Sequence, residues 1–494
     1  MTQSAVEQSL RVELAAKDVL IAELWAENAA LRVQVTTLTS QVEELTGRVA
    51  ELLARLNQNP RNSDRPPSSQ GYDKPAPRSR REASGRPSGG QVGHRGQALR
   101  QVAEPDAVVV HAPPSCSGCG HSLATAPVVS TEKRQVFDLP EIRLVVTEHQ
   151  VQHRQCRCGQ VTMGEVPAGV GGPVQYGPAV RGFATYLVAG QFLPLARTAE
   201  LLSEVLGAPI SQATVHHWTV AAAAGLDPFL EVLTDRLRAA PVLGADETGI
   251  RVDGALAWVH TARTEDLTLY TVSTKRGVEA MTTAGVLNAL PSTTVLVHDG
   301  WKPYWKLPVL HGLCGAHLGR ELVAASEVEG QQGWAEPLDR LLREINRTIA
   351  RARADGGEEL APSLLATYHR RYDALIRAGW AANPGQHRGG RGKHRRPKHV
   401  NLLDRLDTQR HEVLRFATDL RVPFTNNGSE QDIRPLKIRM KISGCLRTTA
   451  GAQQFCRLRS YLSTARKQGQ SAHAVLRALH EGNPWLPAVP AATC

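Results

Sequence analysis

Apolar residues recur every seven positions between residues 10 and 56. One seam is formed by Leu10, Leu24, Leu31, Leu38, Leu45 and Leu52, and Lys17 departs from it. The other seam is formed by Leu14, Ile21, Asn28, Val35, Val42, Val49 and Leu56. This 3.5-residue period predicts a parallel dimeric coiled coil over residues 1–58, in which Asn28 fixes the register. A single amphipathic helix lying on its own domain is the alternative interpretation.

The apolar pattern stops at Asn59-Pro60. Residues 59–105 are rich in Pro, Ser, Gly and Arg and nearly devoid of apolar residues, so they cannot bury enough surface to fold alone. We interpret them as a basic linker whose arginines either track DNA phosphates or serve only as a tether.

Two close cysteine pairs lie in the next segment, residues 106–170. The strand-like runs RQVFDLP and IRLVVTEHQVQHRQ separate the pairs, which are Cys116, Cys119, Cys156 and Cys158. Four thiolates on two turns predict a tetrahedral structural zinc site in a small β-rich, zinc-ribbon-like module. Three histidines are possible substitutes for a cysteine: His121, His149 and His153. Four free thiols without metal are the alternative.

Residues 171–236 have helical spacing of apolar residues. LARTAELLSEVLG ends in Gly207, and Ser211 is suited to cap the helix QATVHHWTVAAAA. Two helices joined by a short turn resemble a DNA-binding helix-turn-helix. In that arrangement Val215 and Trp218 are buried, and the residues facing DNA are Gln212, Thr214, His216 and His217. Ordinary packing of a helical hairpin is the alternative.

From residue 237 the pattern changes to strands. PVLGADETGIRVDG, ALAWVHTART and LTLYTVST predict three antiparallel strands, of which the first carries Asp246. GVEAMTTAGVLNAL predicts a helix, and TTVLVHDG predicts a buried strand that ends at Asp299. A further strand then leads into a helix. This order is that of a ribonuclease H-like α/β domain, with residues 237–317 as its first part. Glu247 is expected to point to the opposite strand face from Asp246, and Asp253 to lie in a hairpin turn.

The chain then becomes helical over residues 318–423, which we interpret as an all-α insertion before the C-terminal part of the catalytic domain, residues 424–494. In FTNNGSEQDIRPLKIRMK, Asn427 is the expected helix cap and places Glu430 three residues later, as in a capping box.

Two basic groups are candidate phosphate contacts. The first group is Arg388, Arg391, Lys393, Arg395, Arg396 and Lys398, and the second is Arg434, Lys437, Arg439, Lys441 and Arg447. A solvated loop is the alternative for the first group.

The charge balance agrees with a nucleic-acid partner. The 494 residues carry a formal net charge of +11, and the pI is about 9.4. The sequence contains no apolar run long enough to span a membrane and no signal-peptide pattern, and its cysteines do not suggest a disulfide scaffold. We therefore expect a cytoplasmic, nucleoid-associated protein.

Three acidic residues form the candidate catalytic site: Asp246, Asp299 and Glu430. Phosphodiester cleavage must activate a water or sugar hydroxyl and neutralise charge on the leaving oxygen, and two Mg²⁺ or Mn²⁺ ions do both. Magnesium prefers carboxylate oxygens and keeps coordination positions open for phosphate and water. Taken singly, each acid also has an ordinary structural explanation, as a strand end, a turn or a helix cap.

Several motifs together resemble the insertion sequence 66 family of DDE transposases. They are GADETGIRVDG, VHDGWKPYW, LCGAHLGREL and FTNNGSEQDIRPLKIRMKISGCLRT, and NSDRPPSSQG, GGQVGHRG, the cysteine pairs and FCRLRSYLSTARKQG follow the family's order. The resemblance implies a bacterial transposase that acts on double-stranded DNA at the terminal inverted repeats of a mobile element. It maps the family's triad onto the three acids and implies small accessory proteins encoded by the same element. The short Cys156-x-Cys158 spacing departs from the family's pattern.

Two other functions fit part of these observations. A non-catalytic DNA-binding regulator would use the coiled coil, zinc module and helix-turn-helix alone. A hydrolytic nuclease would use the same catalytic fold without joining DNA ends.

Overall fold

The computed structural model describes residues 3–56, 99–283, 285–385 and 396–488. Most of the predicted basic linker lies outside these described residues. So do four of the candidate DNA-binding residues: Arg388, Arg391, Lys393 and Arg395.

The heptad segment is one continuous helix, α1, which spans Gln3–Leu56. The seam residues from Leu14 onward lie in solvent, and Leu24, Val35 and Leu45 are 52%, 61% and 58% exposed. The seam therefore packs on no other described part of this chain, which disfavours the alternative of a helix lying on its own domain. The predicted coiled-coil dimer stays a prediction.

The segment from residue 99 to 177 has little regular secondary structure. Strands β1 (His153–Gln155) and β2 (Val161–Met163) pair antiparallel. The prediction of further strands at RQVFDLP and in the first part of IRLVVTEHQVQHRQ is wrong, because neither run pairs with another strand. Val136 and Val145 in these runs are 90% and 88% exposed. Strand propensity is expressed only where a neighbouring strand and a buried face exist, and both are lacking here.

The predicted helical region is confirmed. Its helices are α2 (Pro178–Thr185), α3 (Leu195–Leu206), α4 (Gln212–Ala224) and α5 (Asp227–Arg238), and a π-helical turn follows α2 at Tyr186–Gly190. Gly207 ends α3 with a φ of 64°, a left-handed conformation that suits glycine. The Ser211 hydroxyl caps α4 by accepting a hydrogen bond of 3.1 Å from the Thr214 amide. Val215 and Trp218 are buried, as predicted.

A five-stranded mixed sheet forms the centre of the chain. Its strands are β3 (Val242–Val252), β4 (Ala255–Arg263), β5 (Thr268–Ser273), β6 (Val295–His298) and β7 (Leu310–Leu313), arranged in the order β5-β4-β3-β6-β7. The first three pair antiparallel, whereas β6 lies parallel to β3 and β7 parallel to β6. The predicted pairing of the fourth strand with the first is therefore confirmed.

The connections in the sheet follow local turn chemistry. Asp253 and Gly254 have φ values of 50° and 71° and close the β3–β4 hairpin, as predicted for Asp253. The helix predicted after β5 is shorter than expected. Helix α6 spans Val278–Thr283, and Gly285 follows with a φ of 71°, which an α-helix cannot contain.

The described residues between β7 and residue 424 are helical, as predicted for the insertion. The helices are α7 (Gly315–Ser326), α8 (Gln332–Ala354), α9 (Pro362–Ala381), α10 (Lys398–Thr408), α11 (Arg410–Val413) and α12 (Arg415–Thr418). They share a core around Trp334, Tyr372 and Leu403, which also includes Val295 and Val297 of β6. This helical body therefore packs directly against the sheet.

Three C-terminal helices complete the fold: α13 (Asn427–Ser443), α14 (Thr449–Lys467) and α15 (Ala472–His480). Ile433 and Leu436 of α13 pack on Ile250 and Val252 of β3. Leu243 and Ala245, on the opposite face of β3, pack in a core with α5 and α14. Hydroxyls of α14 accept hydrogen bonds from edge strand β5, with Thr464 Oγ1 3.1 Å from the Thr268 amide. This covers a strand edge that would otherwise be open to pairing.

Candidate active site

The pairing of β3 with β6 brings Asp246 and Asp299 to adjacent positions. The last pair in the parallel register is Gly244 with Val297, and each aspartate lies two residues beyond it. Asp246 on β3 and Asp299 directly after β6 therefore lie at the same level of two neighbouring parallel strands.

Asp246 is largely buried. Its Oδ1 accepts a hydrogen bond of 2.8 Å from the Glu247 amide. Burial, and then repulsion from Glu247, Asp299 and Glu430, raise the pKa of Asp246 to about 7. A cation bound beside this carboxylate would favour its charged form and so lower its pKa.

Asp299 is held in a tight turn after β6. Its Oδ1 accepts a hydrogen bond of 2.8 Å from the Trp301 amide, and the intervening Gly300 has a φ of 92°. Nδ1 of buried His298 accepts from the Gly300 amide at 3.0 Å, and the Trp305 indole donates to the Gly300 carbonyl at 3.2 Å. These bonds fix the backbone that carries the Asp299 carboxylate.

Glu430 lies near the start of α13, and the predicted capping box is wrong. Asn426, not Asn427, occupies the cap position, and its side chain makes no capping hydrogen bond. Glu430 therefore lies four residues after the cap rather than three. Asn426 instead donates from its side chain to the Ala245 carbonyl at 2.7 Å and accepts from the Ser429 hydroxyl at 2.6 Å. The helix carrying Glu430 is thus attached to β3 beside Asp246.

The Glu430 carboxylate faces α7. Its Oε1 lies 3.8 Å from Arg320 Nη2 and 4.0 Å from His317 Nε2. We did not single out these two residues from the sequence, although both lie in the motif LCGAHLGREL. Their spacing of three residues puts them on one face of α7, but which face meets α13 is decided by packing.

A second unpredicted cluster surrounds Glu247, whose side chain is 3% exposed. Its Oε1 lies 2.6 Å from Arg276 Nη2, and its Oε2 accepts a hydrogen bond of 2.6 Å from the Tyr304 hydroxyl. Burial raises the pKa of Glu247, and the hydrogen bonds from Tyr304 and Arg276 oppose that rise. Glu247 is on the face of β3 opposite Asp246, as predicted, because the odd-numbered residues Leu243 and Ala245 pack in the same core as Tyr304.

The described residues contain no group of three or more His, Cys, Asp or Glu side chains arranged closely enough to hold a metal ion. The donor types of the acidic site nevertheless suit a hard cation, because all three predicted ligands offer carboxylate oxygens. A second point of fit is that Asp299 and Glu430 lie close enough to Asp246 for their repulsion to add to the effect of burial, which is the main cause of its raised pKa.

Each cysteine pair lies in a turn that is closed by a glycine. The amides of Gly120 and Gly159 donate to the carbonyls of Cys116 and Cys156, each at 2.9 Å, and both glycines have positive φ. Contacts from backbone amides and from the second cysteine of each turn lower the pKa of Cys116 and of Cys156. Thiolate-favouring turns suit zinc, although the two turns do not form one ligand group here.

Comparison with protein families gives three matches. The model described as transposase IS66 family matches residues 173–454, more than half of the chain and all of the carboxylate site. The chain belongs to the IS66 family of transposases. The model described as the zinc-finger binding domain of transposase IS66 matches residues 113–159, and a family of unknown function, DUF6444, matches residues 7–100. A comparison with curated proteins found no match.

Membership in the IS66 family makes this a transposase and implies DNA binding, use of divalent metal and a zinc-binding module. All four cysteines of the two turns lie inside the zinc-finger match. No helix in the described ranges is long and apolar enough to cross a membrane.

The basic residues predicted to bind DNA differ in their accessibility. Arg434, Lys437 and Lys441 are exposed on α13, whereas Arg439 is half-buried. The guanidinium of Arg439 donates to the Gly444 carbonyl at 3.0 Å and lies 5.1 Å from the Phe455 ring centre, so it already has partners within the chain. In the first basic group, Lys398 is exposed and Arg396 is half-buried.

The residues predicted to read DNA from the helix-turn-helix lie on α4. Gln212, His216 and His217 are exposed. Thr214 is half-buried, and its hydroxyl lies 2.9 Å from the Ser211 hydroxyl. Exposure leaves the DNA-reading role open for the first three, whereas Thr214 also supports the helix start.

Proposed function

We propose that this IS66 family member is a DDE transposase that cleaves DNA and transfers strands at the terminal inverted repeats of its element. The observation that carries this proposal is that Asp246 on β3 and Asp299 directly after β6 each lie two residues beyond the last pair of the parallel register. Glu430 lies close enough to contribute to the raised pKa of Asp246. Three acids that are distant in sequence therefore act on one another electrostatically.

A ribonuclease H-like catalytic domain is the fold that we propose for residues 237–317 and 424–494. Three antiparallel strands followed by two parallel ones, in the order β5-β4-β3-β6-β7, support it. The helices between β7 and α13 then form an insertion that separates Glu430 from the two aspartates in sequence.

Asp246, Asp299 and Glu430 are the proposed ligands of two Mg²⁺ or Mn²⁺ ions. When bound, these ions would activate the attacking hydroxyl and neutralise charge on the leaving oxygen. The chain's own contribution is orientation. The Asp299 turn is fixed by its backbone hydrogen bonds, and Asn426 attaches the Glu430 helix to β3. Arg320 partly balances the Glu430 charge, and the His317 imidazole lies 4.0 Å from the same carboxylate oxygen.

The exposed face of α13 supports binding of the cleaved strand. Positions 430, 434, 437 and 441 are spaced four, three and four residues apart, so Glu430, Arg434, Lys437 and Lys441 lie along one stripe of the helix. The other acid of this helix, Asp432, is 13% exposed and pairs with Arg263 and Lys467. Basic side chains thus extend from the acidic site along a helix that carries no other exposed acid, which suits a phosphate backbone.

Three further assignments belong to this proposal. Cys116, Cys119, Cys156 and Cys158 would bind structural zinc, because both turns favour thiolates. Helix α1 would pair two protomers through its exposed seams, which brings two element ends together. Exposed Gln212 and His216 would contact DNA through α4.

An Asp246→Asn protein tests the catalytic proposal. It should still shift labelled terminal-repeat DNA in a gel but should not nick that DNA with Mg²⁺. Asp253→Asn is the matched control, because Asp253 is an exposed acid of the adjoining hairpin turn, and asparagine also tolerates its positive φ. Equal nicking by Asp246→Asn and the parent would remove Asp246 from the mechanism. Joining of the cut ends to a plasmid distinguishes a transposase from a hydrolytic nuclease.

A further inference from the structure

A buried carboxylate directly follows the proposed metal ligand Asp246. Glu247 makes two short polar contacts, with Arg276 Nη2 and with the Tyr304 hydroxyl, each at 2.6 Å. Burying a carboxylate is costly unless it is paired and hydrogen-bonded, and here both oxygens are used. The proposed DNA chemistry, however, assigns Glu247 no role.

The partners of Glu247 belong to the turn that carries Asp299. Tyr304 lies in the short 3₁₀ helix Lys302–Lys306, which directly follows the Asp299 turn. Its side chain is fully buried, and its ring lies 4.9 Å from the His298 ring, centre to centre. The Tyr304–Glu247 hydrogen bond therefore connects β3 to the segment after Asp299, on the face of the sheet opposite Asp246.

Arg276 makes a second connection to the same turn. Its guanidinium lies over two indole rings, 4.5 Å from the Trp258 ring centre and 4.3 Å from that of Trp301. Stacking on two rings and pairing with Glu247 hold the guanidinium in one orientation. Trp301 in turn donates its amide to Asp299 Oδ1 at 2.8 Å. Glu247 is thus linked to Asp299 through Arg276 and Trp301 as well as through Tyr304.

We propose that Glu247 is a positioning residue that fixes the Asp299 turn through Tyr304 and through the Trp258–Arg276–Trp301 stack. This inference rests on the proposed role of Asp299 as a metal ligand. Glu247 itself does not contact the metals, because it lies on the opposite face of β3 from Asp246 and its oxygens are already paired. Groups that orient ligands in this way change metal affinity or activity by about 10- to 100-fold when they are removed.

Glu247→Gln and Tyr304→Phe are the test substitutions in the full-length protein, because both keep the shape of the side chain. Each should lower kcat for nicking of terminal-repeat DNA by about 10- to 100-fold and weaken Mn²⁺ binding, measured by electron paramagnetic resonance without DNA. The affinity for DNA should stay within about twofold, since neither residue faces phosphate. The double variant should be little worse than Glu247→Gln alone, because both substitutions weaken the Tyr304–Glu247 contact and only Glu247→Gln also weakens the pairing with Arg276.

Glu344→Gln is the control, because Glu344 also pairs with an arginine, Arg371, through two contacts of 2.7 and 2.8 Å, in the helical insertion. It should leave kcat and Mn²⁺ binding unchanged. Parental kcat and Mn²⁺ affinity in a folded Glu247→Gln protein would overturn the positioning role, as would a fall in thermal stability alone. Failure of the transposase proposal would look different, because then the parent itself would not nick DNA or Asp246→Asn would nick it equally well.

Discussion

The side-chain amide of Asn426 donates a hydrogen bond of 2.7 Å to the carbonyl of Ala245, which is 181 residues earlier in the chain. The same asparagine accepts from the Ser429 hydroxyl, and its backbone amide lies 3.1 Å from Cys314 Sγ. One buried residue therefore joins the strand of Asp246, the start of α7 and the helix of Glu430.

Asn426→Ala should both destabilise the protein and impair nicking. It leaves the Ala245 carbonyl without its partner, at a cost of about 1–3 kcal/mol in unfolding free energy. Asn427→Ala is the matched control, since Asn427 is exposed and lies next in sequence. Denaturant unfolding and nicking assays on both variants check this. Equal effects of the two substitutions would contradict the role of Asn426.

Gly244→Ala should displace α13 from the sheet. A Cβ at Gly244 would lie 2.7 Å from Ser429 Oγ and 2.8 Å from Asn426 Oδ1, which is too close for both. Overpacking of this kind costs about 1–3 kcal/mol and shifts neighbouring backbone. Gly249→Ala on the same strand is milder, because its nearest neighbour is the flexible end of Leu256 at 3.2 Å. We expect Gly244→Ala to lose nicking activity and Gly249→Ala to retain it.

Much of the sheet could be predicted from sequence, because alternation along β3, β4 and β5 and the Asp253-Gly254 turn are local signals. The two aspartates could be proposed as site residues for the same reason, since each lies on or directly after an apolar strand. The prediction of Asn427 as the helix cap was wrong because the position of Asn426 depends on Ala245 and Cys314, which no local pattern connects to α13. The partners of Glu247 were missed likewise, since Tyr304 is 57 residues away.

Metal-free protein should become more stable when Asp246 loses its charge. The folded-state pKa of about 7 lies above the usual value of 3.8, so the folded carboxyl keeps its proton while the unfolded one releases it. Its contribution to stability therefore falls as pH rises from about 4 to about 7. Asp246→Asn should then melt at a higher temperature than the parent at pH 8 in EDTA, and the difference should shrink toward pH 4. A lower melting temperature for the variant at pH 8 would contradict the electrostatic account.

Zinc should copurify with the protein in a ratio of about one ion per chain, the ratio expected for a four-thiolate site. Cys116→Ser and Cys156→Ser should each lose it, whereas Cys445→Ser should not, because Cys445 lies outside both turns. Elemental analysis by mass spectrometry measures the metal content. Full zinc occupancy in Cys156→Ser would remove that pair from the site.

The α1 seams should hold two protomers together. Val35→Asp puts a charge at a seam position and should reduce the dimer to monomer, because coiled coils bury these residues. Ser40→Asp is the control, since position 40 is on neither seam of the heptad. Sedimentation equilibrium distinguishes dimer from monomer for both variants. A Val35→Asp protein that remains dimeric would contradict dimerisation through the α1 seams.

The most direct measurement is a crystal structure of the protein soaked in Mn²⁺, with anomalous scattering used to locate the ions. We predict Mn²⁺ bound by carboxylate oxygens of Asp246, Asp299 and Glu430, with Glu247 still paired to Arg276 and Tyr304. Mn²⁺ bound without Glu430, or bound at Glu247 instead of Asp246, would contradict the proposed catalytic site.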